Sequence, residues 1–238
     1  VISYEYITTY TYNSKGQVTS IDGPRPGTQD TTTFTYDATT GNLFSVTRPV
    51  IGTTAYSDYD TVGQAGRVTD PNGNALTYTY DGKGRIKTIR NESDGSTTTY
   101  DYNDAGEPAN VTGPNGATSA FTYDGAYGRL TRVTDSTGNY IYYSFDDQGN
   151  RTEISHFNPS NEHLYWKCFN YQGTTKPGKL WKVINPDDTY TEYTYDAGSN
   201  IQSVRDPSGK TTINDYDIFN RLTSVTQPGN IVTGYAYD

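Results

Sequence analysis

The sequence predicts an all-β chain, an antiparallel meander of short hairpins. Three observations carry this: aromatic residues standing two apart just ahead of a turn, as in Tyr78-Thr79-Tyr80-Asp81; two turns in most units, commonly bearing glycine; and the return of the same phrase along all 238 residues. In a strand, residues i and i+2 share a face. Leu76, Tyr78 and Tyr80 are therefore expected on one face and Ala75, Thr77 and Thr79 on the other. The return strand carries Ile86 and Ile89, three apart, which puts them on opposite faces unless a bulge intervenes.

The second tyrosine and the Asp or Asn after it set the register. The pairs are Tyr12-Asn13, Tyr36-Asp37, Tyr59-Asp60, Tyr80-Asp81, Tyr102-Asn103, Tyr123-Asp124, Phe145-Asp146, Tyr195-Asp196, Tyr216-Asp217 and Tyr237-Asp238, with a degenerate copy at Tyr171-Gln172. Neighbouring marks lie 21 to 26 residues apart. A second turn follows in most units, as in Asp70-Pro71-Asn72-Gly73 and Asp206-Pro207-Ser208-Gly209. Pro fixes φ at the first corner, Gly accepts the positive φ that follows, and the Asp is expected to cap its own turn. The result is one hairpin per repeat, in a single array over 1–238 of ten to eleven units of about 22 residues. The stretch 151–182, with the longest spacing, reads as an irregular repeat bearing an insertion. Both ends are expected to lack caps and to expose strand edges.

Composition agrees with strands and restricts function. Leu, Ile, Val and Phe number only 38, but 24 tyrosines supply apolar area of their own. Tyr and Thr also favour strands. A net charge of −9 speaks against nucleic acid, whose phosphates need clustered Lys and Arg. No apolar run approaches the ~20 residues of a membrane span. The chain begins at Val1 and contains no Met, which reads as a piece of something longer. The single Cys168 has no partner for an internal disulfide.

The phrase Y-x-Y-D-x-x-G-R-L with its following turn, matched best by Thr69 to Asn74 and Tyr78 to Ile89, resembles the YD repeat of RHS proteins. That family includes bacterial RHS toxins, shell components of insecticidal Tc toxins, and teneurins. The resemblance covers nearly the whole chain and weakens from Arg151 to Lys182. It implies a hairpin meander coiled into a hollow solenoid or tube, or an arc of an RHS shell. It also implies a container that keeps a toxin domain enclosed, or a cell-surface adhesion scaffold. Roughly 20 strands at about 4.8 Å make a ribbon of ~96 Å, which closed once is a circle only ~30 Å across. The family's self-cleavage site and variable toxin domain are not identifiable in this sequence.

Candidate chemistry is sparse. The repeat-signature residues Tyr36, Asp37, Tyr59, Asp60, Tyr80, Asp81, Tyr123, Asp124, Tyr195, Asp196, Tyr216 and Asp217 read as architecture. Tyr165, Trp166, Phe169 and Trp181 are the candidate platform for a sugar or a protein partner; the alternative is aromatic filling of an irregular repeat. His156, His163 and Cys168 are competent zinc ligands, but their spacing matches no compact zinc motif. The acidic turns offer one carboxylate each, too few for calcium. No cofactor and no catalytic residue is expected. Asn91-Glu92-Ser93 and Asn110-Val111-Thr112 are glycosylation sequons. The sequence therefore points to a structural segment of a secreted or surface protein, bacterial by resemblance, whose partners are neighbouring repeats, an enclosed polypeptide or further copies of itself. Its alternative is an extracellular module binding sugar or protein through exposed aromatics.

Overall fold

The computed structural model describes residues 6–171 and 178–238. It contains strands and turns and, among the described residues, no helix. The chain divides into two units, residues 1–118 and 119–238. The first holds β1 (Thr9–Tyr12), β2 (Val18–Asp22), β3 (Thr32–Tyr36), β4 (Leu43–Arg48), β5 (Gly52–Ser57), β6 (Arg67–Thr69), β7 (Ala75–Tyr80), β8 (Ile86–Asn91), β9 (Thr97–Tyr102) and β10 (Pro108–Thr112). The second holds β11 (Thr118–Tyr123), β12 (Leu130–Thr134), β13 (Tyr140–Phe145), β14 (Arg151–Phe157), β15 (His163–Tyr171), β16 (Leu180–Ile184), β17 (Tyr190–Tyr195), β18 (Ile201–Arg205), β19 (Thr211–Tyr216), β20 (Leu222–Gln227) and β21 (Ile231–Gly234). Within each unit every strand pairs antiparallel with the next, the all-β meander the sequence predicts.

A bulge sits beside nearly every signature tyrosine. Tyr78 faces Ile89 and Thr79 faces Thr88, but Tyr80 faces Ile86, so Lys87 is skipped. The same shift occurs at Tyr12 with Val18, Tyr36 with Leu43, Tyr102 with Pro108, Tyr123 with Leu130 and Phe145 with Arg151. It recurs at Tyr171 with Leu180, Tyr195 with Ile201 and Tyr216 with Leu222. One extra residue in the return strand turns Ile86 onto the face that Ile89 already shares with Tyr78. The spacing of three that conflicts with a flat strand is thus resolved.

In the first unit the two faces differ sharply. Cross-strand partners place Tyr10, Ile21, Phe34, Val46, Tyr56, Val68, Tyr78, Ile89, Tyr100 and Val111 on one face. The opposite face is mostly hydroxyl, and Thr35 with Ser45, Thr47 with Thr53 and Thr79 with Thr88 bond across strands at 2.6–2.7 Å. Among the described residues only Val46, Ala75, Ser45 and Ser155 are buried. Tyr56, Tyr78 and Tyr100 are half-buried and Tyr10 is exposed, and the described strands touch only their neighbours in the same sheet rather than a second layer. Stability therefore rests on cross-strand pairs, each about 0.2–1 kcal/mol, and on the turns.

The second unit departs from this division. Tyr140, Tyr142, Phe157, Trp166 and Tyr190 fall on the face equivalent to the hydroxyl one. Tyr140 stacks on Phe157 with centroids 4.7 Å apart, Phe157 on His163 at 4.6 Å, and Arg132 caps Tyr140 at 3.7 Å. The meander itself continues through the irregular repeat. β14 and β15, of 7 and 9 residues, are the longest strands and pair directly. Gln172 of the degenerate copy lies outside the described residues.

Both edges of the sheet use one turn. Asp81 Oδ1 accepts the N–H groups of Lys83 and Arg85, at i+2 and i+4. Asp70 does the same with Asn72 and Asn74 on the other edge. The i+1 amide is not needed, so Pro71 fits there. Position i+3 is left-handed, with φ of 78° at Gly84 and 87° at Gly73. A Cβ on Gly84 would also stand 3.3 Å from Gln64 Oε1. Gly84→Val is expected to lower stability by about 1–3 kcal/mol, while Thr79→Val, which loses one exposed hydroxyl pair, should cost under ~1 kcal/mol. Equal melting temperatures for the two variants would remove this account of the turn.

Candidate functional site

The recurrent constellation is a clamp between one aspartate turn and the next. Its first part is the tyrosine hydroxyl. Beside most bulges, the signature tyrosine of the following repeat donates its hydroxyl to a carbonyl of the bulged strand. Tyr36 bonds Val18 O at 2.8 Å, Tyr59 bonds Leu43 O at 2.5 Å, Tyr80 bonds Ala65 O at 2.8 Å and Tyr102 bonds Ile86 O at 2.8 Å. In the second unit Tyr171 reaches Arg151 O, Tyr195 Leu180 O, Tyr216 Ile201 O and Tyr237 Leu222 O, at 2.6–3.2 Å. Apart from Tyr80, whose acceptor lies beside the short β6, each acceptor is the residue paired with the previous signature aromatic. An unsatisfied half-buried carbonyl is costly, so the hydroxyl explains why the position is Tyr.

The second part is a long side chain from the end of the turn. Arg85 Nε donates to Asp81 Oδ2 at 2.7 Å while its guanidinium lies 4.2 Å from the ring centroid of Tyr102 in the next repeat. Arg129 pairs with Asp124, reaches Asp146 O at 3.2 Å and stacks on Phe145 at 4.9 Å. Arg221 pairs with Asp217 and stacks on Tyr237 at 4.8 Å. Elsewhere Gln17 reaches Gly41 O and Gln64 reaches Gly84 O, at 2.8 and 2.7 Å. The Arg85 side chain and the turn amides hold the Asp81 carboxyl down at about 2. In the same way Arg129 lowers Asp124, and the amide of Arg221 with its side chain lowers Asp217.

Phe145 is the one signature aromatic without a hydroxyl. By the pattern of its neighbours, Phe145→Tyr would aim an O–H at Leu130 O, the residue paired with Tyr123. The variant is expected to gain about 0.5–1.5 kcal/mol, the net worth of one hydrogen bond. Chemical denaturation checks this, and a loss of stability would show the joint has no room for the oxygen.

The remaining candidates are scattered. Tyr165 lies on the aromatic face, opposite His156. Trp166 is its sequence neighbour and points to the other face, opposite Ser155. Phe169 shares the face of Tyr165 and pairs with Val183. Trp181 is the skipped residue of the Tyr171–Leu180 bulge. The four do not form one platform; Phe169 and Trp181 come together with Tyr171 in a separate cleft. His156 lies against Tyr165, whereas His163 and Cys168 belong to the other face. Burial, and then the Glu153 charge, push the Cys168 thiol up. Among the described residues no group of three His, Cys, Asp or Glu is placed to hold a metal. No helix among them is long and apolar enough to cross a membrane. The sequence reading missed Arg85, Arg129, Arg221, Gln17 and Gln64 as clamp residues; their signal was the long polar side chain recurring at the end of the aspartate turn.

The family profile described as Teneurin YD-shell matches residues 1–169. The chain belongs to this family. No curated protein matches it as a relative. Solved structures do match in fold. A crystal structure of TcdB2–TccC3–TEV superposes with a TM-score of 0.75 at 15% identity, over 98% of this chain and 15% of the other. A crystal structure of TcdB2–TccC3–Cdc42 gives 0.77 at 16%, over 97% and 15%. The Photorhabdus luminescens Tc holotoxin pore gives 0.77 at 16%, over 97% and 14%. The chain thus spans about 15% of the length of the first of these structures, and at such identity the likeness is one of fold. Within the YD-shell family, the clamp gives the recurring Tyr, Asp and Arg their physical roles in this chain.

Proposed function

We propose that the chain is a wall segment of a hollow β-sheet shell within a longer RHS-type protein, enclosing or carrying another polypeptide such as a toxin domain. The observation that supports this best is the clamp: the signature Tyr, Asp and Arg are spent on joining one repeat to the next. Family membership supports the structural role, and the TcdB2–TccC3 structures support a place in a longer chain. We assign the segment no reaction. The signature residues Tyr36, Asp37, Tyr59, Asp60, Tyr80, Asp81, Tyr123, Asp124, Tyr195, Asp196, Tyr216 and Asp217 serve, in this reading, to hold the wall together. The families it resembles act outside the cell, and we place it on a secreted or surface-held bacterial chain.

The test uses the longer natural chain. Limited trypsin digestion should spare the enclosed segment in the intact protein and degrade it once the repeat from Asp81 to Tyr102 is deleted. Equal digestion of both forms would overturn the container reading. Among the described strands β1 pairs only with β2 and β21 only with β20. Such open edges template further strands, so this segment alone is expected to associate end to end. Sedimentation velocity should show mass rising with concentration, and a monomer at every concentration would count against it.

A further inference from the structure

The cleft that gathers Phe169, Tyr171 and Trp181 has a volume of about 430 Å³, and its polar lining includes Asp146, Gln148 and Asn170. It lies within the second unit. The bulge builds it. Tyr171 pairs with Leu180 and Asn170 with Lys182, so Trp181 is the extra residue between them. At the equivalent position other repeats carry Thr19, Phe44, Lys87, Ala109, Thr131, Thr152, Gln202 and Thr223. A bulge re-aims its side chain, and at Trp181, as at Phe44 in the first unit, that side chain is a large aromatic. The other walls are fixed. Tyr171 is held by its bond to Arg151 O at 3.1 Å, and both Asp146 oxygens take bonds from Asn150 at 2.8 and 2.9 Å.

Three rings and a carboxylate make an electron-rich lining. The faces of aromatic rings attract cations, and two cations already use these rings: Arg151 lies 5.5 Å from the Phe169 centroid and Lys182 5.7 Å from that of Trp181. Neither lines the cleft, and none of its described lining residues is cationic. The Asn150 side chain lowers the Asp146 carboxyl, which keeps it ionised near neutral pH. A primary ammonium would need hydrogen-bond acceptors all round. A quaternary ammonium needs none, and is satisfied by ring faces and one nearby negative charge. The volume falls within the range of small-ligand pockets, about 300–1,000 Å³. A neutral sugar would use the rings but leave the carboxylate without a counter-charge.

We propose that this cleft binds a quaternary ammonium group of the kind choline carries. The inference does not depend on the shell reading. Choline chloride is titrated into the Trp166→Phe protein, so that Trp181 alone reports by fluorescence, with 3,3-dimethylbutan-1-ol as the neutral isostere and glucose as the sugar. Choline should give a saturable change and bind at least about tenfold more tightly than the isostere, a difference of about 1.4 kcal/mol. By calorimetry, Trp181→Ala should abolish choline binding. Asp146→Asn should weaken it severalfold without unfolding the turn, because Asn13 and Asn103 fill the same position elsewhere. Phosphatidylcholine vesicles separate the sources: co-sedimentation in addition to choline binding supports a lipid headgroup, and its absence with choline binding supports a free small molecule. Absence of a choline response, equal binding of the isostere, preference for glucose, or full binding by a folded Trp181→Ala variant would each overturn the proposal.

Discussion

Tyr102→Phe is expected to cost about 1–3 kcal/mol, although it removes a single oxygen. The hydroxyl is the donor to Ile86 O at 2.8 Å, and that carbonyl sits where Lys87 is skipped from the ladder. With the oxygen gone, a half-buried acceptor loses its partner while the ring stays in place beneath Arg85. Tyr102→Ala removes the ring as well and should cost about 3–5 kcal/mol, the range for truncating a large aromatic. A double-mutant cycle with Arg85→Ala isolates the cation–π contact. Its coupling to Tyr102→Ala should be about 0.5–1 kcal/mol and its coupling to Tyr102→Phe close to zero, because the phenyl face remains. If Tyr102→Phe proves as stable as the parent, the clamp is not what ties these repeats together.

The same geometry says where the damage should fall. In a stacked array each repeat meets only its neighbours, so stability is close to a sum of nearest-neighbour terms. Hydrogen exchange in the Tyr102→Phe protein should therefore quicken across β8, β9 and β10 while β3 and β4 keep the parent's rates.

Period-two alternation made much of this legible in the sequence. Tyr78 and Tyr80 two apart, Thr between them, and turn residues after them suffice for strands, faces and hairpins. Alternation also decides the aromatic group of the irregular repeat, because Tyr165 and Trp166 are adjacent and cannot share a face of one strand. Phe169 and Tyr171 are two apart and can. The bulge is different. It is a property of pairing, and Lys87 or Trp181 becomes the skipped residue only once the opposing strand is in register. Because the hydroxyl acceptors are the carbonyls beside those bulges, the tyrosine clamp was hidden for the same reason. The shared turn was more accessible. Asp70 to Asn74 and Asp81 to Arg85 both read Asp-x-x-Gly-x, and the carboxylate bonds to i+2 and i+4 follow from that spacing.

Acid should dismantle the array through those turns. The carboxyls of Asp81 and Asp135 are held at about 2, the first mainly by the Arg85 side chain and the second mainly by that of Asn139. Asp37, Asp70, Asp94, Asp124, Asp146, Asp187, Asp206 and Asp217 are lowered as well, through bonds within their own turns. In the unfolded chain these groups titrate near 3.8. A depressed native value means the unfolded chain binds more protons between the two pKa values, so stability rises with pH there. The contribution is complete above the unfolded value and is lost as pH falls towards 2. Each group is exposed and its own share is small, but the sheet has little core to offset the sum. The melting temperature is expected to be flat above about pH 5 as far as these carboxylates control it, and to fall steadily from about pH 4 downwards. Asp81→Asn retains the Oδ1 acceptor and loses the titration, so it should lower stability at pH 7 and flatten the acid limb. A melting temperature that holds constant from pH 5 to pH 2 would mean that the aspartate turns do not carry the stability assigned to them.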